Sequence, residues 1–176
     1  MPSSSFPLLA LLPATALIAT FALLGCGGPD FEGKVDVPDG YATYRGNGVT
    51  FVHPAAWKPT TRDLGKGISE VRFEDPAGKS AVALTVQTGV GDRFDAMLDS
   101  ERDVLETTAG ADVSQDAVDV PGARKAYRST IELPESTSEA VDVLAPDGRH
   151  LALAAGGDAD ALDVAAVVAS LRLERA

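Results

Sequence analysis

The stretch VRFEDPAGKSAVALTV at residues 71–86 carries the clearest fold signal in this sequence. Apolar side chains alternate with other residues on both sides of a turn that contains Pro and Gly; they are Val71, Phe73, Val82, Leu84 and Val86. A period of two is typical of a β-strand with one buried face. The residues of Asp75–Gly78 favour a tight reversal, because Pro and Gly supply the dihedral angles of a turn. The stretch therefore predicts a β-hairpin.

Similar patterns recur along the chain. Val49 and Phe51 predict a short strand that ends at Pro54, and further strands are predicted at residues 113–120, 123–133, 139–144 and 150–155. The turn sequence Ala145-Pro146-Asp147-Gly148 joins the last two strands, so we expect a second hairpin there.

Two segments have the period of a helix instead. Residues 92–106 place Phe94, Met97, Leu98 and Leu105 on one face, with Asp92 as the expected N-cap and Gly110 at the expected stop. A closing helix is predicted from about residue 158, with Val164, Val167, Val168 and Leu171 on one face. Asp158, Asp160 and Asp163 would then serve as capping residues, and the alternative is that they offer oxygen ligands to Ca²⁺.

The predicted order is strands, helix, strands, helix, with hairpin turns between neighbouring strands. Parallel strands would need a helical crossover at each step, and the sequence does not provide one. We therefore expect the α+β class, with a mainly antiparallel β-sheet packed by helices.

Composition narrows the range of partners. The net charge is −11 and the sequence pI is about 4.5, which disfavours nucleic acid because both partners would be negative. Cys26 is the only cysteine, so neither an intramolecular disulfide nor a cysteine metal cluster is available. His53 and His150 form no metal or catalytic motif and are interpreted as surface or strand-end residues. We predict no cofactor, no metal site and no catalytic residue.

The amino-terminal segment predicts export. Residues 6–24 are apolar apart from Thr15 and Thr20, and the run ends at Leu23-Leu24-Gly25-Cys26. This tetrapeptide resembles the bacterial lipobox. The resemblance implies cleavage between Gly25 and Cys26 and a diacylglyceryl group on the Cys26 thiol, because a thiol is the group nucleophilic enough to take the lipid. Two or more acyl chains give stable anchoring. The alternative is an uncleaved membrane span with an incidental cysteine.

These features divide the chain into three parts: a lipoprotein signal peptide at residues 1–25, a flexible tether rich in Gly and Pro at 26–43, and a folded domain at 44–174. Signal and anchor together predict a protein held at the cell membrane by its lipid, with the domain outside the cytoplasm.

The segment Gly48–Lys58, GVTFVHPAAWK, resembles the opening of PsbP-like proteins, in which a strand runs into a Pro-x-x-Trp corner. The strands near residues 71–75 and 80–88, the helix near 92–107, a strand starting at Pro121 and the terminal segment Ser170–Leu173 follow in the family's order. The family includes lipoproteins of the LpqN and DcrB kinds. The resemblance implies an antiparallel sheet between helices, an α/β/α sandwich, and a binding or assembly role.

Trp57 and Tyr44 belong to the main aromatic concentration and are the candidates for a ligand or partner surface. The alternative, which we favour, is that Trp57 fills one end of the core. We expect a non-enzymatic envelope lipoprotein that binds a protein partner or a small hydrophobic ligand. The alternative is an envelope hydrolase or metal-dependent enzyme whose site is assembled from residues distant in sequence.

Overall fold

A computed structural model describes residues 35–134, 136–157 and 161–174. Within these ranges, ten strands and two α-helices follow one another in the order β1 (Tyr41–Gly46), β2 (Val49–Pro54), β3 (Pro59–Gly65), β4 (Ile68–Glu74), β5 (Ala81–Gln87), α1 (Phe94–Val104), β6 (Asp112–Ala117), β7 (Lys125–Leu133), β8 (Ser136–Leu144), β9 (His150–Gly156), α2 (Val164–Ala169) and β10 (Arg172–Leu173). The strands form a seven-stranded sheet, β3-β4-β5-β9-β8-β7-β6, and a three-stranded sheet, β1-β2-β10.

The hairpin predicted at residues 71–86 is confirmed as β4 and β5. Val71 lies opposite Leu84 and Phe73 opposite Val82, so the alternating apolar side chains share one face of the large sheet. Asp75 closes the turn, since its carbonyl accepts from the Gly78 amide at 3.0 Å and its Oδ1 accepts from the Lys79 amide at 2.6 Å.

The second predicted hairpin is also confirmed, as β8 and β9. Its turn is closed by hydrogen bonds between Ala145 and Arg149 and between Gly148 and Ala145. All strand pairs in both sheets are antiparallel. The predicted α+β class with a mainly antiparallel sheet is therefore correct.

The three-stranded sheet was not predicted as a sheet. Every residue of its central strand, β2, is buried, because β2 pairs with β1 on one side and with β10 on the other while it packs on the large sheet. Its first strand begins at Tyr41, inside the range 26–43 that composition assigned to a tether.

The main core lies between the inner face of the large sheet and a layer made of the small sheet and α2. The largest fully buried side chains in this core are Phe51, Phe73, Leu84, Leu151, Leu153 and Leu171, and Phe94 of α1 is buried in a second cluster. Ser170 ties α2 to β2, because its Oγ accepts from the Val52 amide at 2.8 Å and donates to the Val167 carbonyl at 2.6 Å.

Helix α1 covers part of the opposite, outer face of the large sheet. Phe94 and Leu98 pack there against Leu144, with Tyr127 at the edge of the cluster. The predicted face is confirmed for these two side chains. The predicted N-cap is wrong: Asp92 lies inside a 3-10 turn at Gly91–Arg93, and its side chain forms no capping hydrogen bond.

Two element boundaries also need correction, and one strand was missed. Helix α2 begins at Val164 rather than near residue 158, and its N-cap is Asp163, whose side chain accepts from the Ala166 amide at 3.0 Å. Strand β7 begins at Lys125 rather than Pro121, because residues 120–123 form a turn. Strand β3 was not predicted at all, since every one of its residues is exposed and it shows no apolar alternation.

The signal segment, Gly25, Cys26, Asp158 and Asp160 lie outside the described residues. Within the described ranges, no helix has the length and apolar character needed to cross a membrane.

Candidate ligand-binding pocket

A pocket of about 370 Å³ opens where the core ends, between the large sheet, the loop after β6 and the end of α2. Its apolar walls are Val118, Val120, Val141, Val168 and Leu171, and its polar groups are Asp119, Arg128 and Arg172. Ligand pockets are typically concave, mostly apolar and supplied with a few polar groups that orient the ligand. This pocket has that composition.

The pocket forms because the inner face of the sheet changes character along β7. Ala126 is buried in the core, whereas Arg128, two residues further along the same face, lines the pocket. On the neighbouring strand β8, the residue opposite Arg128 is the buried Val141. The layer formed by the small sheet and α2 ends here, so the sheet is left with an open, partly polar strip.

The two arginines of the pocket differ in their partners: Arg128 pairs with a carboxylate, whereas Arg172 donates to backbone carbonyls. Arg128 donates from Nε to Glu139 Oε2 at 3.1 Å, and its Nη2 also contacts that oxygen, so its charge is largely neutralised. Arg172 donates from Nη1 to the carbonyl oxygens of Ala169 and Leu171, both at 2.8 Å. Asp119 is exposed on the loop that faces them.

A second polar group lies under α1. His150 Nε2 is 2.8 Å from Asp142 Oδ1, and the side chains are 4% and 10% exposed. Phe94 covers the pair, with its ring centroid 5.6 Å from that of His150. The His150 Nδ1 is buried and has no hydrogen-bond partner among the described residues. The pair is closed to a substrate in this arrangement, so it acts as part of the packing.

The environment of this pair extends to Glu101 on α1. Burial raises the pKa of the Glu101 carboxyl, and the negative charge of Asp142 raises it further, while His150 opposes the shift. Although one side of its carboxyl is desolvated, Glu101 is exposed, as are the other acids of the helix; Asp95 pairs with Lys125 at 2.5 Å, and Asp99 lies 3.9 Å from Arg102. This side of α1 is therefore a solvated face.

The two aromatic candidates lie away from the pocket. Trp57 is 7% exposed and belongs to the main core, as the favoured alternative predicted. Tyr44 packs on Phe51 at a centroid distance of 4.9 Å and edge-on to Phe73 at 5.7 Å. Neither residue lines the pocket; Trp57 is buried and Tyr44 is half-buried.

Both histidines occupy strand ends, as one part of the prediction stated, but neither is at the surface. His53, in β2, is 8% exposed and stacks on Phe73 with 4.0 Å between ring centroids. His150 begins β9 and is 3% exposed. In the described part of the chain, no group of three or more His, Cys, Asp and Glu residues is placed to hold a metal ion.

Comparison with known proteins assigns no family to the chain, because no protein-family model and no curated protein sequence matches it.

Sequence patterns could not have located the pocket. Its polar groups come from a loop, from the middle of β7 and from the two-residue strand β10, at positions 119, 128 and 172. One indirect signal was present: Arg128 occupies a core-facing position in an otherwise ordinary strand pattern. An arginine on the core-facing side of a strand indicates either that the core ends there or that a charge is needed there.

Proposed function

We propose that this protein is a lipid-anchored lipoprotein of the cell envelope whose domain binds a small hydrophobic ligand outside the cytoplasm. The observation that carries the proposal is the pocket beside α2, since its apolar walls and few polar groups suit an amphiphile. The tetrapeptide Leu23-Leu24-Gly25-Cys26 supports the anchor.

The proposal includes a PsbP-like arrangement of the domain. Support comes from the antiparallel sheet with a helix on each side, and from the strand β2 that leads into Pro54 and Trp57. The three-stranded sheet adds to the layer that contains α2. A tethered domain of this kind would hold its ligand close to the membrane surface.

Photoaffinity labelling tests the pocket. The full chain, in membranes of cells that produce it, is exposed to two diazirine-bearing dodecyl probes, one with an alcohol and one with a carboxylate headgroup. We expect adducts in residues 118–121 and 168–172 from at least one probe. Adducts spread over other exposed segments, with none in these two, would contradict the ligand-binding function.

A matched pair of variants sharpens this test. Ala169 lines the pocket and is exposed, so Ala169→Trp places an indole in the cavity with little disturbance of the core. Ala165 is exposed on the same helix and does not line the pocket, so Ala165→Trp is the control. Labelling should fall in the first variant and stay unchanged in the second. Equal effects would show that the adducts do not report the cavity.

Intact-mass measurement and membrane fractionation test the anchor, with the native chain beside a Cys26→Ala variant. The native protein should lack residues 1–25, carry the mass of a diacylglyceryl group and sediment with membranes. The variant should carry no lipid and should not be cut before residue 26. If the native protein keeps its full length and carries no lipid, the lipid anchor is contradicted and the alternative of an uncleaved membrane span is supported.

A further inference from the structure

Arg172 stands at the junction of helix α2 and the pocket. Its Nη1 group donates to two carbonyl oxygens at the end of α2, those of Ala169 and Leu171, and these hydrogen bonds fix the position of the guanidinium. Its side chain lines the pocket and is half-buried. A fixed guanidinium has donors left over for a second partner, because it carries five N–H groups.

The other half-buried arginines in the described part of the chain all pair with a carboxylate. These pairs are Arg72 with Glu74, Arg102 with Asp99, Arg128 with Glu139 and Arg149 with Asp147. Arg172 forms no such pair with any described residue, although acidic residues outnumber basic ones by 26 to 15 in the whole chain. A partly desolvated cation gains free energy from an anion that contacts it.

This guanidinium has no carboxylate partner among the described residues and lines a pocket with apolar walls, and from this we propose that the ligand carries an anionic headgroup, a carboxylate or a phosphate, that binds Arg172. This inference rests on the proposed ligand-binding function. The alkyl part of the ligand would lie against Val141, Val168 and Leu171. Arg128 contributes little net charge because Glu139 neutralises it, so Arg172 is the main source of attraction.

Asp119 gives the proposal a second, opposite prediction. Its carboxylate is exposed on the loop that forms the other wall of the pocket, where it would repel an anionic headgroup. Removing the Asp119 charge should therefore strengthen binding of an acid, whereas removing the Arg172 charge should weaken it. Neither change should alter the binding of a neutral alcohol with the same chain.

Competition against the photoaffinity probe with the alcohol headgroup, whose own binding neither variant should change, measures these effects on the full chain in membranes. The competitors are dodecanoate, dodecyl phosphate and dodecanol, and each variant is compared with the wild type for the same competitor. Arg172→Gln should raise the concentration of either acid that halves labelling by roughly tenfold or more, because the acid loses a charge-assisted hydrogen bond. Asp119→Asn should lower it. A shift confined to dodecanoate identifies a carboxylate ligand, and one confined to dodecyl phosphate identifies a phosphate ligand.

Two further variants control for structure and for general charge. Arg172→Lys keeps the positive charge and should retain selectivity for acids even if the contact with α2 is weakened. Arg62→Gln removes the same charge from the exposed strand β3 and should change nothing. Equal losses of acid and alcohol binding in Arg172→Gln, or no loss of acid binding, would overturn the headgroup assignment while leaving the pocket intact. No labelling of the pocket in the wild type would instead contradict the proposed function itself.

Discussion

The imidazole of His150 and the carboxylate of Asp142 form a hydrogen-bonded pair across neighbouring strands, with 2.8 Å between Nε2 and Oδ1. Asp142 lies on β8 and His150 starts β9, so the pair links two central strands beneath α1. Because both side chains are almost fully buried, each depends on the other to satisfy a polar atom.

Asp142→Ala should lower the free energy of unfolding by about 1–3 kcal/mol, because it leaves the buried imidazole nitrogen without a partner. Urea denaturation followed by circular dichroism measures the change. The control is Glu74→Ala, which breaks the exposed pair with Arg72 and should cost less than about 1 kcal/mol. Asp142→Asn keeps an acceptor oxygen and should fall between them. If both alanine variants lowered the free energy of unfolding by similar amounts, burial would not explain the contribution of the His150–Asp142 pair to stability.

His53 should make stability depend on pH. Burial lowers the pKa of the His53 imidazole below its ordinary value of 6.5, and the hydrogen bond to the Pro54 carbonyl only partly opposes this. The unfolded chain therefore binds a proton at a pH at which the folded chain does not. The contribution is favourable above pH 6.5 and is lost as the pH falls from 6.5 through the lower folded pKa.

Denaturation at several pH values across this window tests the effect. His53→Phe keeps a ring that can stack on Phe73 and removes the titrating group. Its stability should fall less on acidification than that of the wild type. A wild type and variant with the same pH dependence would exclude His53 as the source.

Trp57 should be among the residues most important for stability. Trp57→Ala is expected to lower the free energy of unfolding by about 3–5 kcal/mol, because it removes a large side chain from the core and leaves a cavity. Lys58→Ala changes the exposed neighbour and should stay within about 0.5 kcal/mol of wild type. If Trp57→Ala were as stable as the wild type, Trp57 would not stabilise the core, and its role in a ligand or partner surface would be favoured again.

Gly157 should tolerate no side chain. Its φ is +133°, and a Cβ added there would lie 2.4 Å from the Cα of Ser80, which is backbone and cannot move aside easily. Gly78 also has a positive φ, +68°, but open space surrounds it. Thermal unfolding should show that Gly78→Ala lowers the free energy of unfolding by roughly 1–2 kcal/mol, because of backbone strain alone. The loss for Gly157→Ala should be clearly larger, and an equal loss would contradict the role of close packing at Ser80.

Local chemistry explains which parts of the fold could be predicted. The hairpins β4–β5 and β8–β9 each combine an alternating apolar pattern with turn residues at Asp75–Gly78 and Ala145–Gly148, so turn and strands agree within a short stretch. Strand β3 carries no such pattern because all of its residues are exposed. Strand β10 is two residues long and exists because it pairs with Thr50 and Val49.

Sequence patterns were sufficient to predict the antiparallel α+β class, the two main hairpins and the face of α1 that carries Phe94 and Leu98, since each depends on residues close together in the chain. The burial of every residue of β2, and the placement of Arg128, Asp119 and Arg172 around one pocket, depend on tertiary packing. Those relationships join residues far apart in sequence, and they are set by how the two sheets and α2 pack. Side-chain periodicity predicts which face of a strand is buried, but it does not predict where the layer that covers this face ends.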